Sequence, residues 1–321
     1  MLDLYEHGGV TRVNPESPAT VILDSESITP ALGGAANVAH NLKTLGARVT
    51  VYGLVGDDFY RTLLENLILR EKGITSHLYC DRKKTTVKRR FFEMTHNHQL
   101  LRVDYETKEP IADHLIPQVT KQFQQDVREA DAVVFSDYAK GFFTDSFAQS
   151  LLAFSRNSDI PTLVDTKPKN FVYFRGATAL KPNLAEAQTM THVHLGPDQD
   201  IFHDQFTHTL CRTLRELGNI DYAFITCGGK GMVGINNQDQ VSFAPTKLVE
   251  SFNLIGAGDT VMAALALGFA TDYKSGTIHM KKLMQLANLA AGVVIQKTGT
   301  STVTLEELTQ AAIRDTQEKA I

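Results

Sequence analysis

The sequence has few cysteines, and their spacing argues against two kinds of site. Only three are present among 321 residues, Cys80, Cys211 and Cys227, and no pair has the CxxC spacing. An odd and scattered set of this kind predicts neither a disulfide framework nor a zinc site. This cysteine usage fits a reducing compartment, and we predict that the protein is cytoplasmic.

The sequence also lacks an excess of basic residues and long apolar runs. The net charge is −4 and the isoelectric point is near 6.3, which argues against a nucleic-acid-binding surface. The first residues lack the basic and apolar regions of a signal peptide. The longest apolar run, residues 261–270, is about half a membrane span and predicts a buried helix. We therefore predict neither a nucleic acid nor a membrane as a partner.

Strand and helix patterns alternate along the sequence, and no repeat or linker divides it. Helices are predicted at 33–47, 59–73, 145–157 and 205–218, and strands at 48–56, 130–137, 160–167, 177–183 and 221–231. Further helices begin near Val261 and Lys281. This alternation predicts a single α/β domain with a mostly parallel sheet that is covered on both faces.

Two extended, half-polar segments interrupt the alternation, at about 9–24 and 84–105. Neither segment has a helix between its strands. We predict that the two form a small β lid that projects from the single domain of residues 1–321. The inner face of this lid would present apolar and cationic groups to a ligand.

Acidic, cationic and glycine residues follow the predicted strands, at the edge where open α/β sheets bind ligands. They are Asp137, Lys140, Lys167, Asn183, Glu186, Thr226, Gly228 and Gly231. Lysines neutralise phosphate oxygens, carboxylate and amide groups hold metal-bound water, and glycines let backbone amides approach a ligand. The set predicts a site for phosphate and Mg²⁺, although each member taken alone could be an ordinary turn residue.

The segment SFNLIGAGDT, residues 251–260, leads into the apolar run. Gly256, Ala257 and Gly258 predict the first turn of a buried helix whose N–H groups face an anion such as phosphate. Asp259 is then placed to accept the proton of an attacking hydroxyl during phosphoryl transfer. The alternative is a glycine-rich turn in which Asp259 only caps the helix.

These motifs resemble those of the ribokinase-like (PfkB) carbohydrate kinases, which share GAGDT, GGAANVAHNL and KPNLAEA. Three further stretches, VTRVNPESP, SDYAKG and KTGTSTV, resemble the D-glycero-β-D-manno-heptose 7-phosphate kinases of lipopolysaccharide biosynthesis. The resemblance runs over nearly the whole chain. It implies a three-layer α/β/α fold, ATP and Mg²⁺ as cofactors, and phosphoryl transfer to the C1 hydroxyl of the sugar phosphate, which gives heptose 1,7-bisphosphate.

The same resemblance implies a role for each matching residue. Asp259 is the catalytic base, and Gly256, Ala257 and Gly258 form the anion hole. The cofactor-binding residues are Asn183, Glu186, Thr226, Gly228, Gly231 and Asn288, with Glu186 holding Mg²⁺ through water. The substrate-binding residues are Asp3, Arg12, Gly33, Gly34, Asn37, Lys88, Arg90, Arg102, Asp104, Asp137, Lys140 and Lys167.

Several alternatives stay open at this point. The sequence does not decide which of the cations binds the C7 phosphate, and residues 88–90 could instead be a solvated hairpin edge. The acceptor epimer and anomer are open too. Another sugar kinase of the same family, or a sugar-phosphate-binding protein with impaired catalysis, are the alternative functions. The resemblance also implies a homodimer that pairs through the apolar side of the lid.

Two departures from the family pattern lead to further expectations. Asn253 and Ile255 stand where family members have Asp and Thr, in a stretch that helps to bind a monovalent cation. We therefore expect weak or no activation by potassium. Family members also have a strand directly before the Met-Leu-Asp motif, which here is residues 1–3. We expect that strand to be missing, or its place to be taken by another segment, and Asp3 to be frayed.

Overall fold

The computed structural model describes residues 1–194, 196, 201–202, 205–246 and 254–319. The strands within these residues are β1 Leu2–Asn14, β2 Ser17–Leu32, β3 Val49–Val55, β4 Ile74–Cys80, β5 Val87–Glu93, β6 His98–Tyr105, β7 Val133–Asp137, β8 Thr162–Thr166, β9 Ala179–Leu180, β10 Tyr222–Thr226, β11 Gly231–Ile235 and β12 Val241–Pro245. The α-helices are α1 Ala35–Thr44, α2 Phe59–Arg70, α3 Ile116–Asp126, α4 Asp145–Asn157, α5 Leu184–Thr191, α6 Gln205–Gly218, α7 Ala257–Ser275, α8 Met280–Val294 and α9 Leu305–Lys319. Short 3₁₀ helices span Val127–Glu129, Pro168–Phe174 and Gly228–Lys230.

Six strands form the central sheet, in the order β12-β11-β10-β9-β8-β7. The strands from β7 to β10 are parallel, and β11 and β12 are antiparallel to their neighbours. β7 and β8 have the sequences VVFSD and TLVDT, in which an apolar run gives way to polar residues. This pattern arises because a parallel strand is covered on both faces until it reaches its carboxyl end. The polar residues therefore collect at one edge of the sheet.

Helices cover both faces of this sheet. On one face α3, α4, α5 and α6 pack in a core that includes Phe123, Leu151 and Leu214. On the other face α1, α7, α8 and α9 pack around Met262 and Phe269. The predicted α/β fold with three layers is therefore confirmed. No helix in the described ranges is both long enough and apolar enough to cross a bilayer.

Side-chain caps fix where several helices begin. The Asp58 side chain accepts a hydrogen bond from the N–H of Arg61 and starts α2, and Thr144 starts α4 in the same way. α5 begins with a capping box, in which the side chains of Asn183 and Glu186 each accept from the other residue's backbone N–H. α5 therefore starts directly after β9, at the polar edge of the sheet.

β3 and β4 pair in parallel as a separate two-stranded sheet. Within the described residues no strand joins this pair to the six-stranded sheet, so none takes the place of the strand that the family pattern led us to expect. Side chains hold the pair to its neighbours instead. The hydroxyl of Tyr52 on β3 donates to Asp126 at the end of α3, and His77 on β4 lies 3.2 Å from the same carboxylate.

A four-stranded sheet in the order β2-β1-β5-β6 lies apart from these layers. It includes both segments of the predicted lid, 9–24 and 84–105, and extends beyond them to Leu2 and Leu32. β1 pairs with β2 in the antiparallel sense and with β5 in the parallel sense. The expected fraying of Asp3 is wrong, because strands on both sides pair with its backbone and its side chain is buried.

The two faces of this lid differ because successive residues of a strand point to opposite sides. Leu2, Leu4 and Val87 lie on one face and pack against α2. Asp3 and Tyr5 lie on the other. That second face carries Lys88 and Arg90 of β5 with Asp104 and Arg102 of β6. It meets the start of α7 through Thr300, in the segment after α8.

Candidate active site

Asp259 lies in the first turn of α7 and is 8% exposed. Its Oδ2 accepts a hydrogen bond from Asn37 Nδ2 at 2.9 Å, and its Oδ1 accepts one from the Tyr138 hydroxyl at 2.5 Å. Burial raises the pKa of this carboxyl to about 6. The hydrogen bonds from Tyr138 and Asn37 oppose that rise in pKa, and the charge of Asp165 adds to it. Asp259 is thus ionised at neutral pH with a pKa suited to a general base.

The turn that precedes Asp259 depends on glycine. Gly256 has a φ of 83°, which favours glycine, and a Cβ there would lie 2.9 Å from Asn37 Nδ2. The first N–H groups of a helix have no carbonyl partner within it, and the helix dipole adds positive polarity. A Cβ on Gly258 would lie 4.0 Å from Lys181 Nζ, so a buried cation flanks the same turn. Gly256, Ala257 and Gly258 have the arrangement that the predicted anion hole needs, and that role stays a prediction.

Asn37 belongs to a buried network that joins α1 to α7. Asn41, one turn further along α1, donates to Asn37 Oδ1 at 3.2 Å and accepts from the Thr260 hydroxyl at 3.1 Å. Both ends of the Asn37 amide are therefore engaged, the nitrogen by Asp259 and the oxygen by Asn41. The network fixes the orientation of the base, and the contact of Asn37 with sugar hydroxyls stays a prediction.

Asp3 and Arg90 form a buried ion pair on the inner face of the lid. Arg90 Nη1 lies 3.1 Å from Asp3 Oδ1, and the two side chains are 8% and 5% exposed. Neither of these two atoms has a hydrogen bond of good geometry within the described residues. Since buried polar atoms normally have hydrogen-bond partners, the pair retains capacity for the hydroxyl of a ligand.

The other oxygen of Asp3 is held by a relay of hydroxyls. Thr300 donates to Asp3 Oδ2 at 3.0 Å and accepts from the Tyr5 hydroxyl. Burial raises the pKa of Tyr5 to about 12, which keeps it a donor. A Cβ on Gly33 would lie 2.8 Å from Asp3 Cγ, so only glycine lets the chain pass this close. The predicted neighbours Asp3 and Gly33 are thus brought together.

Charged residues form two rows across the lid. Asp3, Lys88 and Asp104 lie side by side on β1, β5 and β6, and Tyr5, Arg90 and Arg102 form the adjacent row. Arg102 pairs with Asp104, with its Nε 2.9 Å from the carboxylate, and Arg90 pairs with Asp3. No ion pair is found for half-buried Lys88 among the described residues. Burial lowers the pKa of Lys88, and the charges of Asp3 and Asp104 on either side oppose that fall.

Tyr138 connects this lid face to the base. Its hydroxyl contacts Asp259, and Lys88 Nζ lies 5.5 Å from the centre of its ring. Lys167 Nζ lies 5.7 Å from the same ring centre. The tyrosine therefore stands between a lysine of the lid and a lysine at the carboxyl end of β8.

Lys167 and the capping box of α5 form the opposite side of the site. Lys167 Nζ lies 2.6 Å from Glu186 Oε1, while Glu186 Oε2 accepts from the backbone N–H of Asn183 at 3.0 Å. Asn183 also bridges to Thr226 at the end of β10. The structure thus brings together four of the residues predicted to bind nucleotide or phosphate.

The remaining predicted cofactor residues lie around the end of β10. Gly228 has a φ of 58° and open space where a Cβ would stand. Gly231 has a φ of 110°, and a Cβ there would lie 2.3 Å from the carbonyl oxygen of Ala244, so only glycine fits between the strands. Asn288 on α8 donates to that same carbonyl at 2.8 Å. Its side chain ties α8 to β12, and its position beside an adenine stays a prediction.

The structure places some predicted substrate residues outside this cluster. The carboxylate of Asp137 is buried and accepts from Thr166, Asn170 and the N–H of Ala139, so it braces a turn instead of facing a ligand. Lys140 pairs with a glutamate after β6, Glu106.

Arg12 is exposed, nine residues beyond Asp3 on β1, which is about 30 Å along a strand. The contact of Arg12 with the acceptor stays a prediction. Asn253 lies outside the described residues.

Sequence reasoning missed two residues of the cluster. Lys181 is buried, pairs with Asp165 at 2.9 Å and approaches Gly258. Tyr138 was given no role in the predicted site. The signal for Lys181 was its place in KPNLAEA, two residues before the cap of α5. For Tyr138 the signal was the stretch SDYAKG, in which it adjoins a strand-end carboxylate.

The oxygen donors on the Lys167 side fit a Mg²⁺ ion that is bound through water. Glu186 offers a carboxylate at the polar edge of the sheet, and hard oxygen ligands suit Mg²⁺, which keeps several of its waters. Both Glu186 oxygens already accept hydrogen bonds from the protein, which favours contact through water. No group of three metal-binding side chains occurs in the described part of the chain.

Comparison with known sequences places the chain in a family. The model described as "pfkB family carbohydrate kinase" matches residues 10–308. A protein of Caulobacter vibrioides named Bifunctional protein HldE is 37% identical over 314 residues, which are 97% of this chain and 62% of that protein. One of the same name from Trichlorobacter lovleyi is 35% identical, over 97% of this chain and 61% of its own length. The chain therefore spans less than two thirds of these relatives.

Solved structures agree on the fold. Phosphofructokinase-2 from Escherichia coli in complex with potassium superposes with a TM-score of 0.76 at 15% identity, over 98% of this chain and 96% of that one. A putative ribokinase from Agrobacterium tumefaciens gives 0.73 at 18% identity, over 99% and 96%. The predicted ribokinase-like fold is thus confirmed. The chain belongs to the pfkB family of carbohydrate kinases, and the prediction of an ATP-dependent carbohydrate kinase is confirmed with it.

Proposed function

We propose that this carbohydrate kinase transfers the γ-phosphoryl group of ATP to the C1 hydroxyl of D-glycero-D-manno-heptose 7-phosphate. The product is heptose 1,7-bisphosphate, a precursor of ADP-heptose and of the lipopolysaccharide core. Support comes from the stretches VTRVNPESP, SDYAKG and KTGTSTV and from the charges of the site.

The observation that carries the acceptor assignment is Lys88. It is half-buried on the inner face of the lid, and it is the cation there without a carboxylate partner among the described residues, whereas Arg90 and Arg102 are paired. A phosphate would supply the missing counter-charge. Lys88 lies near the ring of Tyr138, whose hydroxyl contacts Asp259, so the cation and the base belong to one site. A sugar with a phosphate at one end and its reacting hydroxyl at the other would use both groups.

The sorting of cations follows from the same contacts. Lys167 is held by Glu186 on the nucleotide side, and Lys140 is held by Glu106. Arg102 forms a two-bond pair with Asp104. We therefore assign Lys88 to the acceptor phosphate, and Arg90 with Asp3 to the sugar hydroxyls.

The reaction uses the two sides of the site together. Asp259 accepts the proton of the C1 hydroxyl as its oxygen bonds to the γ-phosphorus, and the bond from that phosphorus to the bridging oxygen breaks to release ADP. The helix turn of Gly256–Gly258 and the cation of Lys181 stabilise the charge on the transferring oxygens. Mg²⁺, when bound through Glu186, would neutralise the phosphates of ATP.

The test is ATP turnover by the purified chain with Mg²⁺, on D-glycero-D-manno-heptose 7-phosphate, unphosphorylated heptose and ribose. We expect turnover of the phosphorylated sugar alone, and a fall in kcat of about 10²–10⁴-fold for Asp259→Asn. Equal turnover of an unphosphorylated sugar would replace the acceptor assignment with another sugar of the family. Tight binding of the sugar phosphate without turnover would instead indicate a protein with impaired catalysis.

Lys88→Met tests the phosphate contact itself. We expect the KM of the sugar phosphate to rise by about tenfold or more, the worth of one charge-assisted hydrogen bond, with the KM of ATP unchanged. Lys274→Met is the matched control, because Lys274 is exposed at the other end of α7 and pairs with Asp131. A KM for the sugar phosphate that does not change in Lys88→Met contradicts the assignment.

We also propose a cytoplasmic homodimer that pairs through the lid. Val13 and Val21 lie opposite each other on β1 and β2, and both are about half exposed. Ile28 and Leu101 add apolar surface on the same sheet. Light scattering should give twice the mass of one chain for the wild type, and a smaller mass for Val13→Lys with Val21→Lys.

A further inference from the structure

Tyr138 has a contact that the proposed reaction does not yet use. Its hydroxyl donates to Asp259 Oδ1 at 2.5 Å, while Asn37 donates to Oδ2 at 2.9 Å. Each oxygen of the base thus accepts one hydrogen bond from a separate element, one after β7 and one on α1. A carboxylate held at both oxygens cannot rotate, and its remaining lone pairs have fixed directions.

The chain builds a specific place for this tyrosine. Asp137 braces the turn from beneath, through its hydrogen bond to the N–H of Ala139, and Ala139 itself has a φ of 55°. Gly34, with a φ of 54°, leaves the space for the ring, since a Cβ there would lie 3.0 Å from Tyr138 Cε2. A non-glycine residue at positive φ is uncommon and costs free energy. This strained residue lies directly after Tyr138, in the turn that directs the Tyr138 side chain towards Asp259.

We propose that Tyr138 is a positioning residue, whose hydroxyl holds the carboxylate of Asp259 in its ionised form and in the orientation that meets the acceptor hydroxyl. The inference rests on the proposed function in one respect only, namely that Asp259 is the base. Tyr138 donates a hydrogen bond and transfers no proton in this role. It acts through Asp259 and does not touch the transferring group.

The charges around the pair are consistent with this role. Burial and the charges of Asp259 and Asp165 raise the pKa of Tyr138 well above its usual value, so its hydroxyl remains a donor throughout the working pH range. The charged groups that face the pair are Asp3 and Lys88 from the lid, Asp165 and Lys167 from the end of β8, and Lys181 after β9. Since the hydrogen bond stabilises the ionised form of Asp259, its removal must raise the pKa of that carboxyl.

The experiment measures this pKa directly, without any substrate. The carboxyl carbons of aspartate are labelled with ¹³C in the full chain, and the resonance of Asp259 is assigned by its loss in Asp259→Asn. Tyr138→Phe should raise the midpoint of that resonance by about one to two pH units, as expected for loss of a hydrogen bond to a charged group. Tyr52→Phe is the matched control, since it deletes a hydroxyl that donates to a different aspartate, Asp126. An Asp259 titration in Tyr138→Phe that coincides with the wild type overturns the proposal.

The folded wild type provides a second measurement, which does not require Tyr138→Phe to fold. One tyrosine Cζ resonance should move with pH at the midpoint of Asp259, and that movement should disappear in Asp259→Asn. If no tyrosine resonance follows Asp259, the contact does not have the proposed role.

Turnover separates this inference from the proposed function. If one of the sugars is turned over, the pH profile of kcat/KM gives a pKa on its acid side. This pKa should rise in Tyr138→Phe by as many pH units as the NMR midpoint does, and Tyr52→Phe should leave it unchanged. A shifted NMR midpoint without turnover of any sugar supports the role of Tyr138 and removes the proposed function. Turnover with this pKa unchanged in Tyr138→Phe keeps the proposed function and removes the role of Tyr138.

Discussion

The two halves of the candidate site are built from different chemical groups. The half that we propose binds the acceptor (the acceptor half) lies on the lid and consists of charged side chains from neighbouring strands, with the ion pair of Asp3 and Arg90 buried at its centre. The half that we propose binds ATP (the nucleotide half) consists mainly of backbone geometry, a helix cap at Asn183 and glycines at 228 and 231 that make room for the main chain. Substitutions in the acceptor half are therefore expected to change both ligand affinity and the free energy of unfolding. Substitutions in the nucleotide half are expected to change ligand affinity alone.

This difference also says what each half can recognise. Backbone amides and a helix cap suit a ligand whose phosphates are the same in every reaction. Side chains in a sheet register can differ in charge and size without changing the backbone. We therefore expect the acceptor to be selected by the half made of side chains.

The largest effect on stability is expected at Arg90. Arg90→Met leaves the Asp3 carboxylate buried without its cation, and breaking a buried ion pair typically costs about 3–5 kcal/mol of unfolding free energy. Arg102→Met breaks a pair on the same lid face whose arginine is 49% exposed, and exposed pairs contribute less than about 1 kcal/mol. Denaturant unfolding measures both. Equal losses in the two variants would contradict the view that the acceptor half supports the fold.

A smaller effect, of opposite sign, is expected at Asp259, where the two halves meet. Its pKa in the folded chain is about 6, above the ordinary 3.8, so folding favours the protonated carboxyl. Below about pH 4 both states keep the proton and no penalty arises. The penalty grows as the unfolded chain ionises above pH 4, and it is complete once the pH has risen through 6.

Asp259→Asn cannot ionise, so it should be more stable than the wild type at pH 8, by up to about 3 kcal/mol. The gain should shrink as the pH falls from 6 towards 4. Asp239→Asn, at an exposed carboxylate paired with Arg215, is the control and should show no such trend. A gain in stability that is independent of pH would show that it does not come from the raised pKa of Asp259.

The fold could be predicted from the sequence where a local pattern decides the structure. The apolar strands ending in polar residues and the amphipathic helices gave the α/β alternation. α3, α5, α9, β4, β11 and β12 were not predicted. β4 and β12 have mixed sequences such as ITSHLYC, whose pairing depends on distant partners, and α9 is polar on most of its surface. Tertiary packing, which no local pattern contains, decides such elements.

The site divides in the same way. Gly231, Asn183 and Glu186 could be found in the sequence because backbone geometry requires those residue types at those positions. Asp137 and Lys140 have the expected chemistry but face the protein, because side-chain direction depends on the turn after β7. The two rows of charge on the lid depend on the register of β1, β5 and β6, which the sequence does not specify. In that register Lys88 lies directly opposite Asp104, but Asp104 pairs with Arg102 of its own strand, and Lys88 has no ion pair within the described residues.

The smallest effect is expected at Glu186, and it tests the nucleotide half. In Glu186→Gln the amide oxygen can still accept from the N–H of Asn183, so the cap of α5 remains, but the charge opposite Lys167 is lost. We expect the KM of ATP with Mg²⁺ to rise by about tenfold, near 1.4 kcal/mol, with unfolding free energy changed by less than about 0.5 kcal/mol.

The chain offers an unusually close control for this substitution. Glu307 forms the same kind of capping box with Thr304 at the start of α9 and pairs with Lys297 in the same way. Glu307→Gln removes the same charge from the same local structure at another helix, so it should match Glu186→Gln in unfolding free energy and leave the KM of ATP unchanged. If the two variants raised that KM equally, the effect would come from losing a capped ion pair as such, and the nucleotide half would then couple binding to folding as the acceptor half does.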